Sequence, residues 1–331
     1  MYAEPAGFDR EQLIQILRAE WGLAVSTLRY EPVGFGTHHY RVRGEDGADW
    51  FVNVDVLAGK SWNPDDEPDA LAALARALGT AVALRRAGLE FVHAPVERLH
   101  GGPVAAMAGP YAVSVYAFIE GSSNPYGEFP SDDERRLVLG ALGRMHAATG
   151  AVPPGVARRD RLEVPLRHPF FESLGQLSSP WSGGPFAEPA RRLIRHSADA
   201  IRELFARHDE LVLAVRGSDV PWVITHGEPH AANVMRTRDQ GLRIIDWDTV
   251  ALGPRERDLW MVEPRNDDDW AAYTSSGGTA ALDPSAIALY QLWWKLAEIS
   301  GYTQGFRASH EDDDNTRAAW ANLQRYVPGS P

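Results

Sequence analysis

Apolar residues at Leu13, Ile14, Ile16, Leu17 and Trp21 recur at helical spacing, which predicts an amphipathic helix over Glu11–Trp21 with Asp9 as its cap. Three short β-favouring runs follow, Leu28–Val33, Tyr40–Val42 and Trp50–Val56. Gly34-Phe35-Gly36 and Gly44-Glu45-Asp46-Gly47 separate them, the pattern of an antiparallel meander. A Pro/Asp-rich loop at Trp62–Pro68 leads into an Ala/Leu-rich helix over Asp69–Ala87, which Gly88 stops. Phe91–Ala94, Leu99–Met107 and Tyr111–Phe118 read as further strands, the last running into the turn Ile119-Glu120-Gly121.

Beyond that turn the pattern is mostly helical: Asp132–Thr149, Glu188–Arg207, Pro284–Gln304 and Thr316–Tyr326. Pro221–Thr225 and Leu242–Trp247 are strand-like, and the Pro/Gly/Ser-rich Pro153–Pro185 reads as a long irregular connection. The expected architecture is therefore α+β. A small antiparallel sheet lobe with one main helix occupies 1–117, and a larger, mostly helical lobe carrying a strand-loop-strand insert occupies 118–331.

A chain of 331 residues can bury a sizeable core and commonly divides into two lobes. Its formal charge of −12 argues against a phosphate-tracking groove, so nucleic acid is not an expected partner. Acidic balance is compatible with a cationic substrate, and equally with solubility alone. The absence of cysteine removes disulfides, thiolate zinc sites and a cysteine nucleophile. Met1–Leu28 lacks the basic region and apolar run of a signal peptide, and no segment approaches the roughly 20 apolar residues of a membrane span. The expectation is a cytoplasmic protein. Lysine is scarce: Lys60 and Lys295 are the only two.

The segment that carries chemistry is Val223-Ile224-Thr225-His226-Gly227-Glu228-Pro229-His230-Ala231-Ala232-Asn233-Val234-Met235, followed by Leu242-Arg243-Ile244-Ile245-Asp246-Trp247-Asp248. Two apolar runs deliver polar residues at their ends, and Gln240-Gly241 suggests a hairpin turn between them. Phosphoryl transfer needs a carboxylate to orient and deprotonate the acceptor hydroxyl, an Asn five positions later on one Mg²⁺, and a second-strand Asp on the metals. Glu228, Asn233 and Asp246 reproduce that order and interval. Singly, such residues are as often turn and cap residues. His226-x-Glu228 with His230 also offers a two-His, one-carboxylate iron site, or the His-x-Glu half of a zinc deaminase. The deaminase needs cysteines, and the iron site belongs to all-β barrels rather than to a motif flanked by helices. Gly34-x-Gly36 lacks the third glycine of a dinucleotide fold.

His226–Asp248, with Pro254-Arg255-Glu256-Arg257-Asp258-Leu259 after it, resembles the aminoglycoside phosphotransferase and choline kinase superfamily, closest in pattern to spectinomycin phosphotransferase-type members. Gly34-Phe35-Gly36-Thr37, Tyr116-Ala117-Phe118-Ile119-Glu120-Gly121 and Leu137–His146 extend the resemblance over most of the chain. It implies a bilobal, protein-kinase-like fold and ATP-dependent O-phosphotransfer to a small-molecule hydroxyl, with an aminoglycoside, aminocyclitol or related antibiotic among the acceptors and GTP open as the donor. Glu228 falls where the family's catalytic Asp stands. Asn233 and Asp246 fall on its Mg²⁺ ligands, with Asp248 two residues on, and His226 holds the loop. Gly34, Phe35, Gly36 and Thr37 lie where a loop covers the phosphates, and Phe118 and Ile119 where hinge backbone groups hold the base.

Two positions depart from this pattern. Glu228 is one methylene longer than Asp, and misplacement by about 1 Å costs on the order of a hundredfold in rate. Asn53 stands where the family places its strand lysine, offering hydrogen bonds without charge. Arg76 on the first-lobe helix, or Lys60, is the candidate replacement cation. These departures keep open an alternative, a nucleotide- or ligand-binding pseudokinase with little transfer activity. Asp267, Asp268 and Glu298 are candidates for a cationic acceptor, although acidic runs are commonly solvated. The tryptophans of the later lobe read as core, and His38 and His39 lie beside the glycine loop.

Overall fold

The computed structural model of the chain describes residues 1, 3–5, 7–34, 36–57, 70–238, 241–279 and 281–329. Phe35, Lys60, Gln240 and the loop Trp62–Pro68 lie outside these residues.

Helix α1 (Arg10–Trp21) forms where its periodicity places it. Asp9 accepts from the Gln12 amide, and Gly22 closes the helix in a left-handed conformation, a role for which the lack of a Cβ suits it. Its buried stripe covers one face of a five-stranded antiparallel sheet made of β1 (Val25–Glu31), β2 (Thr37–Gly44), β3 (Asp49–Val56), β4 (Ala105–Ala106) and β5 (Tyr111–Ala117), in the order β1-β2-β3-β5-β4. Leu13, Leu17, Tyr40, Val42, Val52, Val54, Val113 and Val115 form the shared core. Because strand side chains alternate, burying these residues turns Thr37, His39 and Arg41 of β2, Phe51, Asn53 and Asp55 of β3, and Ser114 and Tyr116 of β5 to the opposite face. That face carries the polar candidates.

Helix α2 (Ala70–Arg86) buries Ala73, Leu74, Ala77, Leu78 and Ala81. Downstream are β6 (Gly121–Ser123), α3 (Asp132–Ala147), α4 (Arg167–Gly175), α5 (Ala187–His196), α6 (Ala198–Arg216), β7 (Trp222–Thr225), β8 (Val234–Thr237), β9 (Leu242–Ile244), β10 (Ala251–Pro254), α7 (Glu256–Leu259), α8 (Asp267–Thr274), α9 (Pro284–Arg307) and α10 (Asp314–Tyr326). β6, β8 and β9 form a three-stranded sheet, and β7 pairs with β10. The chain packs into two compact units, Met1–Asp160 with Pro221–Ala281, and Arg161–Val220 with Leu282–Pro331. The lobe boundary expected at 117/118 falls within the first of them. In the second, α4, α5, α6, α9 and α10 share a core of Phe170, Ile194, Ile201, Phe205, Leu296, Ile299 and Leu323. No helix among the described residues is long and apolar enough to cross a membrane.

Four local expectations are corrected. Leu99–Met107 is mostly a turn, because Gly101 and Gly102 both take positive φ and Arg98 bonds back to Gly102, leaving two residues of strand. Phe91–Ala94 makes one parallel bridge, Val92 to Ile244, before Pro95 ends the pairing. The irregular connection Pro153–Pro185 contains α4, whose Pro169 sits in the first turn, where a missing N–H costs nothing. Glu188–Arg207 is two helices, broken at Ser197, whose hydroxyl donates to the Pro328 carbonyl.

Candidate active site

β7 ends at Thr225 and releases a loop whose every turn is held by a buried group. His226 is fully buried; its Nε2–H donates to the Ile245 carbonyl at 2.9 Å, and its Nδ1 accepts from the Glu228 amide at 3.2 Å. Burial lowers its pKa, so the ring stays neutral and can serve as donor on one side and acceptor on the other. Asp258, buried on α7, accepts from the His226 and Gly227 amides at 3.0 and 2.6 Å and from His146 Nε2 at 3.0 Å. His146 Nδ1 in turn accepts from Tyr273 at 2.7 Å. Burial opposes the charge on Asp258, but these hydrogen bonds outweigh it and hold the carboxyl below its ordinary range. Gly227 has φ +100°, and a Cβ there would stand 2.4 Å from the guanidinium of buried Arg257. Glycine is therefore required on both counts.

The loop carries two residues of the sequence motif, Glu228 and Asn233, and is hydrogen-bonded to the strand end that bears the third, Asp246. Asn233, at the end of the 3₁₀ turn Ala231–Asn233, donates Nδ2 to the Glu228 carbonyl at 3.0 Å, while its own carbonyl accepts from the Ile245 amide at 3.0 Å. β8 pairs antiparallel with β9, so Asn233 and Asp246 follow from facing strand ends. With Nδ2 committed, Oδ1 is the acceptor that the Asn233 amide has to offer. Asp246 is exposed and left-handed, at φ +65° and ψ +65°, a conformation costing on the order of 1–3 kcal/mol that persists only where the surroundings impose it. Asp248 lies in the next turn, Trp247–Thr249, half-buried. Glu228 is half-buried, with its carboxylate 3.9 Å from His230 Nε2. Burial, then His226, pushes His230 down to about 4, so that contact is not an ion pair at neutral pH.

On the polar face of the sheet, Thr37 donates to buried Asp55 at 2.7 Å, and His39 Nδ1 lies 3.0 Å from Asn53 Oδ1. Buried Tyr116 feels the charges of Asp55, Asp246 and Asp248, which add to burial in holding its hydroxyl far above the usual range. These electrostatic neighbours tie the sheet face to the motif's carboxylates. Phe118 and Ile119 line a cavity of about 510 Å³ together with Arg41, Arg236 and Arg238, and the Arg41 guanidinium stacks 4.0 Å above the Phe118 ring. Arg76 stands on the exposed side of α2. Asp267 and Asp268 are exposed in the first turn of α8, whereas Asp269 beside them is fully buried against Arg135. Glu298 belongs to the second unit, half-buried on α9, where burial raises its carboxyl and a Tyr302 hydrogen bond opposes the rise.

The model of the phosphotransferase enzyme family matches residues 29–302. The chain belongs to this family. Protein StrN of Streptomyces griseus is a relative, 30% identical over 258 residues that cover 74% of each chain. Among solved structures, a spectinomycin phosphotransferase in complex with ADP and spectinomycin is similar to this chain with a TM-score of 0.71 at 17% identity, covering 96% of this chain and 94% of that one. A microcompartment-associated aminopropanol kinase is similar with a TM-score of 0.61 at 14% identity, covering 96% and 95%. These two likenesses establish the kinase-like fold. The loop also has buried supports to which sequence reasoning assigned no role. Asp258, Arg257, His146 and Tyr273 hold the loop through hydrogen bonds between residues 31 to 127 apart, where no spacing rule reaches.

Proposed function

We propose that this phosphotransferase moves the terminal phosphoryl group of ATP to a hydroxyl of a small-molecule acceptor, with Glu228 accepting the hydroxyl proton. The observation that carries the reading is the lock between Asn233 Nδ2 and the Glu228 carbonyl, together with the bond from the Ile245 amide to Asn233. These bonds tie the backbone of the Glu228–Asn233 loop to the end of β9 that carries the strained Asp246. The donor set, Asn233 Oδ1, Asp246 and Asp248, is hard oxygen throughout and fits Mg²⁺. When bound, that cation neutralises charge on the phosphates. In this reading Gly34, Gly36 and Thr37 lie at the phosphates, and Phe118 and Ile119 offer hinge backbone groups to the base.

An aminoglycoside or aminocyclitol is the acceptor class this reading favours. It is supported by the likeness to the spectinomycin enzyme and by the exposed carboxylates of Asp267 and Asp268 in the first unit, which suit a cationic acceptor. A second reading, nucleotide binding with little transfer, is favoured by Asn53, whose amide faces a histidine where a lysine was expected. Coupled detection of ADP across a panel of such acceptors with Mg²⁺-ATP tests both. Acceptor-dependent ADP release that Glu228→Gln abolishes, with nucleotide affinity retained, supports transfer; binding without release in the native chain supports the second reading.

A further inference from the structure

Because Asn53 is uncharged, the polar sheet face needs a cation for a nucleotide's phosphates from another residue, and one histidine is placed to supply it. His39 of β2 lies directly opposite Asn53 of β3 in the strand register. Its ring stacks on Phe51 at 5.1 Å between centroids and sets Nδ1 3.0 Å from Asn53 Oδ1. Asn53 Oδ1 can only accept, so Nδ1 carries the proton in the neutral ring and in the imidazolium alike. The other nitrogen, Nε2, lies beneath the glycine loop, 3.1 Å from where a Cβ of Gly34 would stand; Gly34 has φ +70° and leaves the ring room. The polar face of the sheet thus carries an imidazole edge at the loop expected to cover phosphates.

We propose that His39 contacts the nucleotide's phosphates through Nε2, and that Asn53 positions its ring through Nδ1. The inference rests on the nucleotide-dependent reading above. A protonated imidazole supplies a charge-assisted hydrogen bond to phosphate, so His39 contributes most below its titration and loses the contribution as pH rises. Charged groups among the described residues lie near it. Glu31 faces it from β1, paired with Arg29. Asp55 lies two residues beyond Asn53 on β3 and is bonded by Thr37. Arg41 is two residues along β2, paired with Asp49, and the Met1 ammonium donates to the carbonyls of Val33, Gly34 and Thr37. ATP itself gains charge as pH rises, which acts in the opposite direction.

Calorimetric titration with Mg²⁺-ATP and separately with adenosine, from about pH 6 to 8, tests the proposal. ATP affinity of the native chain is expected to fall with rising pH, while adenosine affinity stays flat. His39→Gln should weaken ATP about tenfold at the acid end, remove the fall in affinity with rising pH and leave adenosine binding intact. Adding Asn53→Lys to His39→Gln should restore ATP affinity without restoring its fall as pH rises. Unchanged ATP affinity at the acid end, or the same slope, in His39→Gln would overturn the role of His39 alone. Failure of the native chain to bind either ligand would overturn the nucleotide reading and this inference with it.

Discussion

At the scale of single residues, the candidate site depends on groups whose conformation or charge is fixed by their surroundings. Asp246 is held left-handed, and Asn tolerates that backbone as readily as Asp does. Asp246→Asn is therefore expected to fold with an unchanged thermal midpoint and to lose transfer by at least about a hundredfold, with a weaker Mg²⁺ dependence of nucleotide binding. Retained activity together with unchanged metal titration would count against the ligand role. Asp258 accepts three N–H donors inside the protein. Asp258→Asn places an amide among them and should cost on the order of 3 kcal/mol at neutral pH. The native carboxyl lies below its unfolded value of about 3.9, so its contribution is complete above that pH and vanishes as pH falls through the lower native pKa. The stability gap between native and variant proteins, followed by denaturant unfolding, should narrow only in acid.

At the scale of elements, α3 and α8 form the brace behind the loop, and their approach is set by a glycine. A Cβ on Gly143 would stand 2.4 Å from the Tyr273 carbonyl, so Gly143→Ala must push the helices apart. Overpacking of this kind costs about 1–3 kcal/mol. Tyr273 also donates to His146, which donates to Asp258, so the displacement reaches the His226–Asn233 loop. The variant should lose both melting temperature and turnover, with nucleotide affinity changed less than turnover. Equal turnover in a destabilised variant would show that the brace serves stability alone. The sequence marked α3 as a helix, yet the pairing with α8 is decided by side chains over a hundred residues apart.

Over the whole molecule, acidic conditions tax several buried neutral histidines together. Burial lowers His93 and His230 to about 4 and also depresses His38 and His226. Unfolded histidines take up protons near pH 6.5, so folding stability is complete above that value and declines as pH falls toward 4. His93 and His230 should each forfeit on the order of 2 kcal/mol by about pH 5. Thermal midpoints measured across this range should drop, and less steeply in His93→Gln; a flat profile would contradict the burial assignment. Much of this architecture was legible in the chain. The periodicity at Leu13–Trp21 gave α1, the β-favouring runs Tyr40–Val42 and Trp50–Val56 with the turn residues between them gave the antiparallel sheet, and the interval from Glu228 to Asn233 singled out the loop. These follow from local geometry, because helical and strand periods act over a few residues. Which arginines and carboxylates become buried braces does not follow locally. Asp269 and Asp268 are neighbours of one type, yet packing buries the first against Arg135 and leaves the second in solvent. Likewise, only strand register sets His39 beside Asn53, since the pairing of residues on two strands is fixed by the sheet as a whole.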